Sequence, residues 1–284
     1  MRLVRRHVAA EDEIQWNPAA GTLDPSRLAG VEAIVNLSGE NIGQRWTDSR
    51  KREILDSRVQ ATTLLASVAT AMERRPTVFV CAGGAGVYGD RGDEIVTEAS
   101  ELGTGVEAEV VRAWEGACEP ARDADIRVVN FRQGMVLATE GGALERMLLP
   151  FRLGLGGRVG NGRQWWSWVA REDVVRAYAF VLDHELEGPV NLCAPNPVTN
   201  KQFTDALGKA LNRPTIFPAP AFAIRMLFGE MGDNVLLRGR RALPARLLDA
   251  GFSFRFGDLE AALRHALGRD GEEGAAQPPP PLED

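Results

Sequence analysis

The sequence predicts an α/β fold, a parallel sheet wrapped by helices, followed by a small helix-rich C-terminal lobe. Three observations carry that reading. Short β-branched runs alternate with longer stretches of helical period, the pattern of strands joined by crossover helices. The 284 residues, 44% hydrophobic and 25% charged, suffice for one large domain or one domain plus a small lobe. After Pro214 the pattern turns helix-rich.

Taken in order, the β-branched runs Leu3–Arg6, Glu13–Asn17, Ala33–Leu37, Thr77–Ala82, Ile126–Arg132 and Val190–Ala194 read as strands. From Thr47 to about Met72, Ile54, Leu55, Val59, Leu65, Val68 and Met72 fall on or near one face, as a sheet-covering helix requires. A second helix starts near Thr104 and carries Val106, Val110, Trp114 and Ala117. Thr199 with Gln202 forms a capping box opening a helix that holds Phe203 and Leu207. The lobe is expected to contain helices over Phe222 to Leu227, Val235 to Leu248 and Asp258 to Leu267. Domain boundaries follow: 1–214 for the sheet domain, 215–268 for the lobe, and 269–284 as a disordered tail, where four prolines and no hydrophobic period deny a packed core.

Composition then narrows the function. The net charge is −6, and much of the acidity lies in the tail, where Arg269 faces Asp270, Glu272, Glu273, Glu283 and Asp284. The basic stretches Arg50-Lys51-Arg52 and Arg238 to Arg246 are interleaved with acidic or apolar residues and read as solvated helix faces, so no nucleic-acid surface is expected. Cys81, Cys118 and Cys193 lie far apart, which gives no disulfide framework and no C-x-x-C motif. His7, His184 and His265 are equally scattered, which argues against a metal cluster or a Ser-His-Asp hydrolase. The charged stretch Met1 to Glu13 is no signal peptide, and no apolar run approaches the ~20 residues of a membrane span. A cytoplasmic protein, monomer or homodimer, without a membrane partner is expected.

Specific motifs point further. NLSGENI (Asn36 to Ile42), KREILDSRV (Lys51 to Val59), VYGDRGDE, RAWE (Arg112 to Glu115), MLLPFRLGLGG (Met147 to Gly157), GRQWWSWV and LPARLLDAGFSFRF resemble the atypical extended short-chain dehydrogenases/reductases of the epimerase-like SDR39U family, over nearly the whole chain as far as Leu267. The resemblance implies a Rossmann-like doubly wound parallel sheet that binds NADP, with a C-terminal lobe closing over a substrate cleft. Family members open with a strand, a Gly-x-x-Gly-x-x-Gly turn and a helix, whereas this chain opens at MRLVRR, which matches their second strand. The first strand and helix are thus missing, and an N-terminally truncated gene product is expected. Leu3–Arg6 would then pair directly with Ala33–Leu37, or residues 1–17 would be poorly attached.

The cluster Gly83, Gly84, Gly86 follows a later strand, and in the family that position is the floor of the nicotinamide site rather than a phosphate cradle. Ordinary extended dehydrogenases use a Ser or Thr there and a Tyr-x-x-x-Lys on the next helix. Here the serine positions fall on Gly83 and Gly84, and the Tyr and Lys positions on Glu107 and Val111. Tyr88 is a candidate proton donor; the competing reading is a strand-end tyrosine packed on the sheet.

The resemblance also assigns a cofactor cleft. Arg6, with Arg5 beside it, matches the position that pairs with the adenosine 2′-phosphate and selects NADP. Leu37, Ser38 and Gly39 match the turn where backbone approaches the cofactor, Glu53 and Arg58 match further contacts, and Val136 matches a backbone contact near the nicotinamide. On the substrate side, Gln164, Trp165, Trp168 and Asp173 fall in the family's cleft-lining stretch, and Arg132 could hold an anion; core packing and surface ion pairing are the plainer alternatives. The expected function is NADP-dependent redox or epimerase-like chemistry on a small carbonyl or sugar-like substrate, against a non-catalytic nucleotide-binding protein of the same fold.

Overall fold

The computed structural model describes residues 1–270. Its elements run β1 (Arg2–Val4), β2 (Glu13–Gln15), β3 (Ala33–Asn36), α1 (Asp48–Ala71), β4 (Val78–Cys81), β5 (Ile95–Val96), α2 (Val106–Gly116), α3 (Glu119–Asp123), β6 (Arg127–Gln133), β7 (Met135–Leu137) and α4 (Gly142–Arg152). They continue through β8 (Trp165–Trp166), β9 (Trp168–Ala170), α5 (Arg171–Asp183), β10 (Gly188–Leu192), β11 (Val198–Thr199), α6 (Asn200–Leu211), α7 (Ala221–Phe228), β12 (Arg241–Ala242), α8 (Ala245–Asp249) and α9 (Leu259–Ala266).

The main sheet is parallel, in the order β10-β6-β4-β3. β4 is central, and all four of its residues are at most 1% exposed, which is why its sequence is continuously apolar rather than alternating. Its side chains still alternate by face. Phe79 and Cys81 join the core formed with Leu65 and Ala69 of α1, Trp114 of α2 and Ala121 of α3. Val78 and Val80 point the other way, into a core with Ala177 and Val181 of α5 and Leu247 of α8. The sheet is therefore covered on both faces, the doubly wound arrangement expected.

α1 starts where the Thr47 side chain accepts from the Arg50 N–H, and α6 starts at the Thr199–Gln202 capping box, with both reciprocal bonds made. After β6 the chain changes partner: β7 pairs with β9 instead of continuing the main sheet. Gly134 permits the change, because a Cβ there would lie 2.6 Å from the Ser167 carbonyl oxygen.

Three expectations are corrected. β1 pairs with β2 and not with β3, so neither closure expected for the N-terminal segment occurs. The segment is nonetheless anchored: Ile14 and Trp16 are buried, and Arg6 makes a two-pronged bond to Glu13 at 2.8 and 2.6 Å. β3 is left as an edge strand, with Val35 and the adjacent Leu37 exposed. Val235 to Leu248 is not one helix. Gly232–Leu236 forms a single wide turn, Arg241–Ala242 pairs in parallel with Ile95–Val96, and only after Pro244 does α8 begin.

The C-terminal core joins Phe203 and Leu207 of α6 to Leu259 and Leu263 of α9, with Leu144, Leu148 and Phe151 of α4, so it crosses the boundary expected at residue 214. Arg269 remains tied to α6 through the Ala210 carbonyl at 2.6 Å. The rest of the expected tail, Gly271 to Asp284, lies outside the described residues. Among the described residues no helix is long and apolar enough to cross a membrane.

Candidate functional site

The strands β3, β4 and β6 end on one side of the sheet, and two cavities open there, in the crevice where open α/β sheets bind ligands. The first, of about 590 Å³, is lined by Arg5, Trp16, Leu37, Ser38, Gly39 and Glu53 among others. The second, of about 320 Å³, lies over Gly83, Gly84 and Gly86, with Arg58, Glu107 and Arg240 in its walls.

Arg58 stands between them. A Cβ on Gly39, which lines the first cavity, would lie 3.0 Å from the Arg58 guanidinium carbon, while Arg58 itself lines the second. The guanidinium donates to the Ile54 carbonyl at 2.9 Å and lies 4.8 Å from the Trp114 ring centroid. Among the described residues it makes no ion pair, and its burial pulls its pKa below the ordinary arginine value. A half-buried cation with no carboxylate in contact, the Glu40 charge acting on it only at longer range, is a ready partner for an anion.

The two N-terminal arginines divide. Arg6, held by Glu13, is absent from the first cavity; Arg5 lines it and has no hydrogen bond or ion pair among the described residues. Arg5, and not Arg6, therefore faces the first cavity. Glu53 also lines this cavity, with its carboxylate bound to Arg50 at 2.7 Å. The Ser38 backbone N–H donates to Asn36 Oδ1 at 3.1 Å, and the Ser38 hydroxyl donates to the same oxygen.

The floor of the second cavity requires glycine at one place and tolerates more at another. A Cβ on Gly83 would sit 2.6 Å from the Phe131 carbonyl oxygen, whereas one on Gly84 would meet nothing closer than Val111 at 3.7 Å. Over Gly86 lies the Glu107 carboxylate, paired with Arg240 at 3.1 Å. Arg240 is itself fixed by its carbonyl, which accepts from the Ser167 hydroxyl at 2.9 Å. Alignment on RAWE places Glu107 at the position of the usual catalytic tyrosine; its partner could not be foreseen, since Arg240 arrives from the far end of the chain.

Several predicted residues are not in the cleft. Tyr88 is fully buried; its hydroxyl donates to Asn191 Oδ1 at 2.7 Å and accepts from Arg132 at 3.0 Å, and burial pushes its pKa up. A sealed phenol cannot reach a cleft-bound oxygen. Arg132 is equally committed, with both prongs on Glu115 at 2.7 and 2.9 Å. Asp173 is buried and accepts from the Arg255 and Phe256 N–H groups at 2.8 and 2.9 Å, pinning the C-terminal segment. Trp168 is buried and donates to the Asn196 carbonyl, and the Gln164 amide bridges the Val159 and Leu236 carbonyls. Trp165 does line the second cavity, and its indole N–H donates to Asp93. The Val136 side chain packs in the sheet core, while its neighbours Gly134 and Met135 line the cavity.

Comparison with known proteins adds to this geometry. A family profile described as NAD dependent epimerase/dehydratase family matches residues 23–193, and one described as a domain of unknown function, DUF1731, matches 219–266. The epimerase family protein ML0860 of Mycobacterium leprae is 45% identical, over 95% of this chain and 88% of its own. The crystal structure of human epimerase family protein SDR39U1 (isoform 2) with NADPH superposes with a TM-score of 0.84 at 32% identity, covering 94% of this chain and 90% of that one. The UDP-glucuronic acid 4-epimerase of Bacillus cereus, solved with NAD, shares the fold at a TM-score of 0.71 and 14% identity, covering 90% of this chain and 79% of that one.

Proposed function

Because this chain belongs to the NAD dependent epimerase/dehydratase family, we propose that it is an NADP(H)-dependent oxidoreductase interconverting a small carbonyl compound and its alcohol. The observation that carries this reading is the pair of cavities along the strand ends, with Arg58 between them as a cation lacking a carboxylate partner. The residues present fit a dinucleotide. Arg5 would take the adenosine 2′-phosphate, Arg58 would neutralise the diphosphate, and the glycine floor would accept the nicotinamide. Bound there, the nicotinamide supplies or accepts the hydride.

The chain's own residues handle the proton. Glu107, paired with Arg240 on the cavity wall, can take the proton of an alcohol hydroxyl, directly or through one water. In the reverse direction Arg240 donates a hydrogen bond to the oxygen on which negative charge develops. Titration calorimetry with NADPH, followed by loss of NADPH absorbance with a panel of carbonyl compounds, tests the proposal. Failure of NADPH to bind would overturn it. One observation favours a second reading, a non-catalytic nucleotide-binding protein: Gly83 and Gly84 offer no hydroxyl, and the Tyr88 hydroxyl is sealed. Affinity for NADPH without turnover of any carbonyl compound selects that reading.

A further inference from the structure

A third cavity, of about 410 Å³, opens beside the glycine-floored one, and the two share Ile42, Ala143, Met147, Trp166, Val235 and Leu236 in their walls. We propose that this cavity holds the hydrocarbon body of the substrate, so that the reacting compound is a neutral, apolar ketone or secondary alcohol and not a nucleotide sugar. The proposal rests on the redox reading above and deepens it.

The lining decides the chemistry. The far wall is built from Phe151, Phe203, Phe217, Phe228 and Met231. No carboxylate and no lysine lines it; the Trp166 indole N–H is buried there without an acceptor, and the oxygens of its two asparagines are already engaged. Asn200 Oδ1 accepts from the Val159 N–H at 2.7 Å, Asn41 Oδ1 accepts from the Gly43 N–H at 2.8 Å, and Arg146 bonds the Gly43 carbonyl. A nucleotide diphosphate placed here would lose its hydration against aromatic and aliphatic side chains, with one engaged guanidinium in return. A hydrocarbon loses nothing of the kind and gains burial. The volume admits roughly a dozen water-sized groups, enough for a medium-length chain.

The mouth agrees with the interior. Leu155 and Phe217 line the cavity and yet remain 58% and 53% exposed, an apolar entrance where a sugar site would present hydrogen-bonding groups. The shared wall also sets a direction: a chain lying in the third cavity puts the functional carbon near its end over the glycine floor, beside Glu107 and Arg240. Reduction there balances as one hydride to the carbonyl carbon and one proton to its oxygen, with NADPH oxidised to NADP⁺.

The test uses the full 284-residue chain. Titration calorimetry with hexan-2-ol, octan-2-ol and decan-2-ol should show affinity rising about fourfold per added methylene until the cavity is full. UDP-glucose should neither bind comparably nor displace octan-2-ol. Ala143→Phe and Val235→Phe, which fill the shared wall from two elements, should each weaken octan-2-ol at least tenfold with the thermal transition retained. If one of them fails to fold, the other and the wild-type length series still decide. An affinity that does not change with chain length, or displacement of the alcohol by UDP-glucose, overturns the proposal. The two levels fail separately. Length-dependent binding with no NADPH consumed on octan-2-one leaves the apolar site standing and removes the redox reading. NADPH consumption that is equally efficient on short polar ketones, without length-dependent binding, does the reverse.

Discussion

Arg5 and Arg6 are adjacent in sequence and opposite in situation. Arg6 makes two bonds to Glu13, whereas Arg5 faces the first cavity with no partner among the described residues. One charged hydrogen bond is worth about 1.5–3 kcal/mol, so Arg5→Ala should weaken NADPH at least tenfold while leaving NADH nearly unchanged. Arg6→Ala should leave that preference intact. Calorimetry with both cofactors checks this, and a larger loss in the Arg6 variant would refute the assignment. The glycine floor gives a second contrast. Gly84→Ser should fold with a stability change under about 1 kcal/mol, because a Cβ there meets only Val111 and the Gly86 nitrogen at ordinary contact distance. Gly83→Ser drives a Cβ against the Phe131 carbonyl and should cost about 1–3 kcal/mol or more in urea unfolding. Only the Gly84 variant therefore offers a fair way to restore a hydroxyl to the cavity.

At the scale of elements, the β1–β2 pair depends on a carboxylate. The Arg6 guanidinium and the Ala9 N–H hold the Glu13 pKa below its ordinary value. A depressed carboxylate pKa stabilises the fold above the unfolded value, about 4.3, and that contribution is lost as pH falls through the folded value. Below about pH 4, residues 2–15 should loosen before the main sheet does. Glu13→Gln should lower the thermal midpoint at pH 7 and flatten its fall in acid; an unchanged acid dependence would show that Glu13 is not responsible. Asp173 is the corresponding anchor at the other end. Asp173→Ala leaves the buried Phe256 N–H and its neighbour without an acceptor, and should cost about 3–5 kcal/mol in urea unfolding. Elements whose causes are local could be read from the sequence: the apolar run of β4, and the capping box that starts α6. Elements whose causes are distant could not. Arg241–Ala242 becomes a strand only because Ile95–Val96 lies beside it, and nothing near residue 241 announces that. The same distinction governs the site. The glycine floor and Glu107 follow from spacing along the chain, while the inward turn of Tyr88 is set by Asn191 and Arg132, which lie far along the chain from it.

For the whole molecule, the C-terminal part is fastened to the sheet at several separate points. β12 pairs with β5, Arg240 pairs with Glu107, and Gln164 grips the Leu236 carbonyl. The first of these joins has a consequence in time. During synthesis Ile95–Val96 must wait until Arg241–Ala242 emerges, an interval on the order of ten seconds or more at ~5–20 residues per second. Throughout that wait Val96, buried in the finished protein, lacks its cover, and Glu107 lacks its cation. Ribosome-bound chains stalled before residue 240 should therefore be cleaved by protease within residues 89–105, where released chains resist. Protection of the stalled chains would mean that this region closes without its late partner. The nascent chain thus has every residue of the glycine floor long before it has a finished cleft, so the completed cleft belongs to the end of biogenesis, after the ribosome has let go.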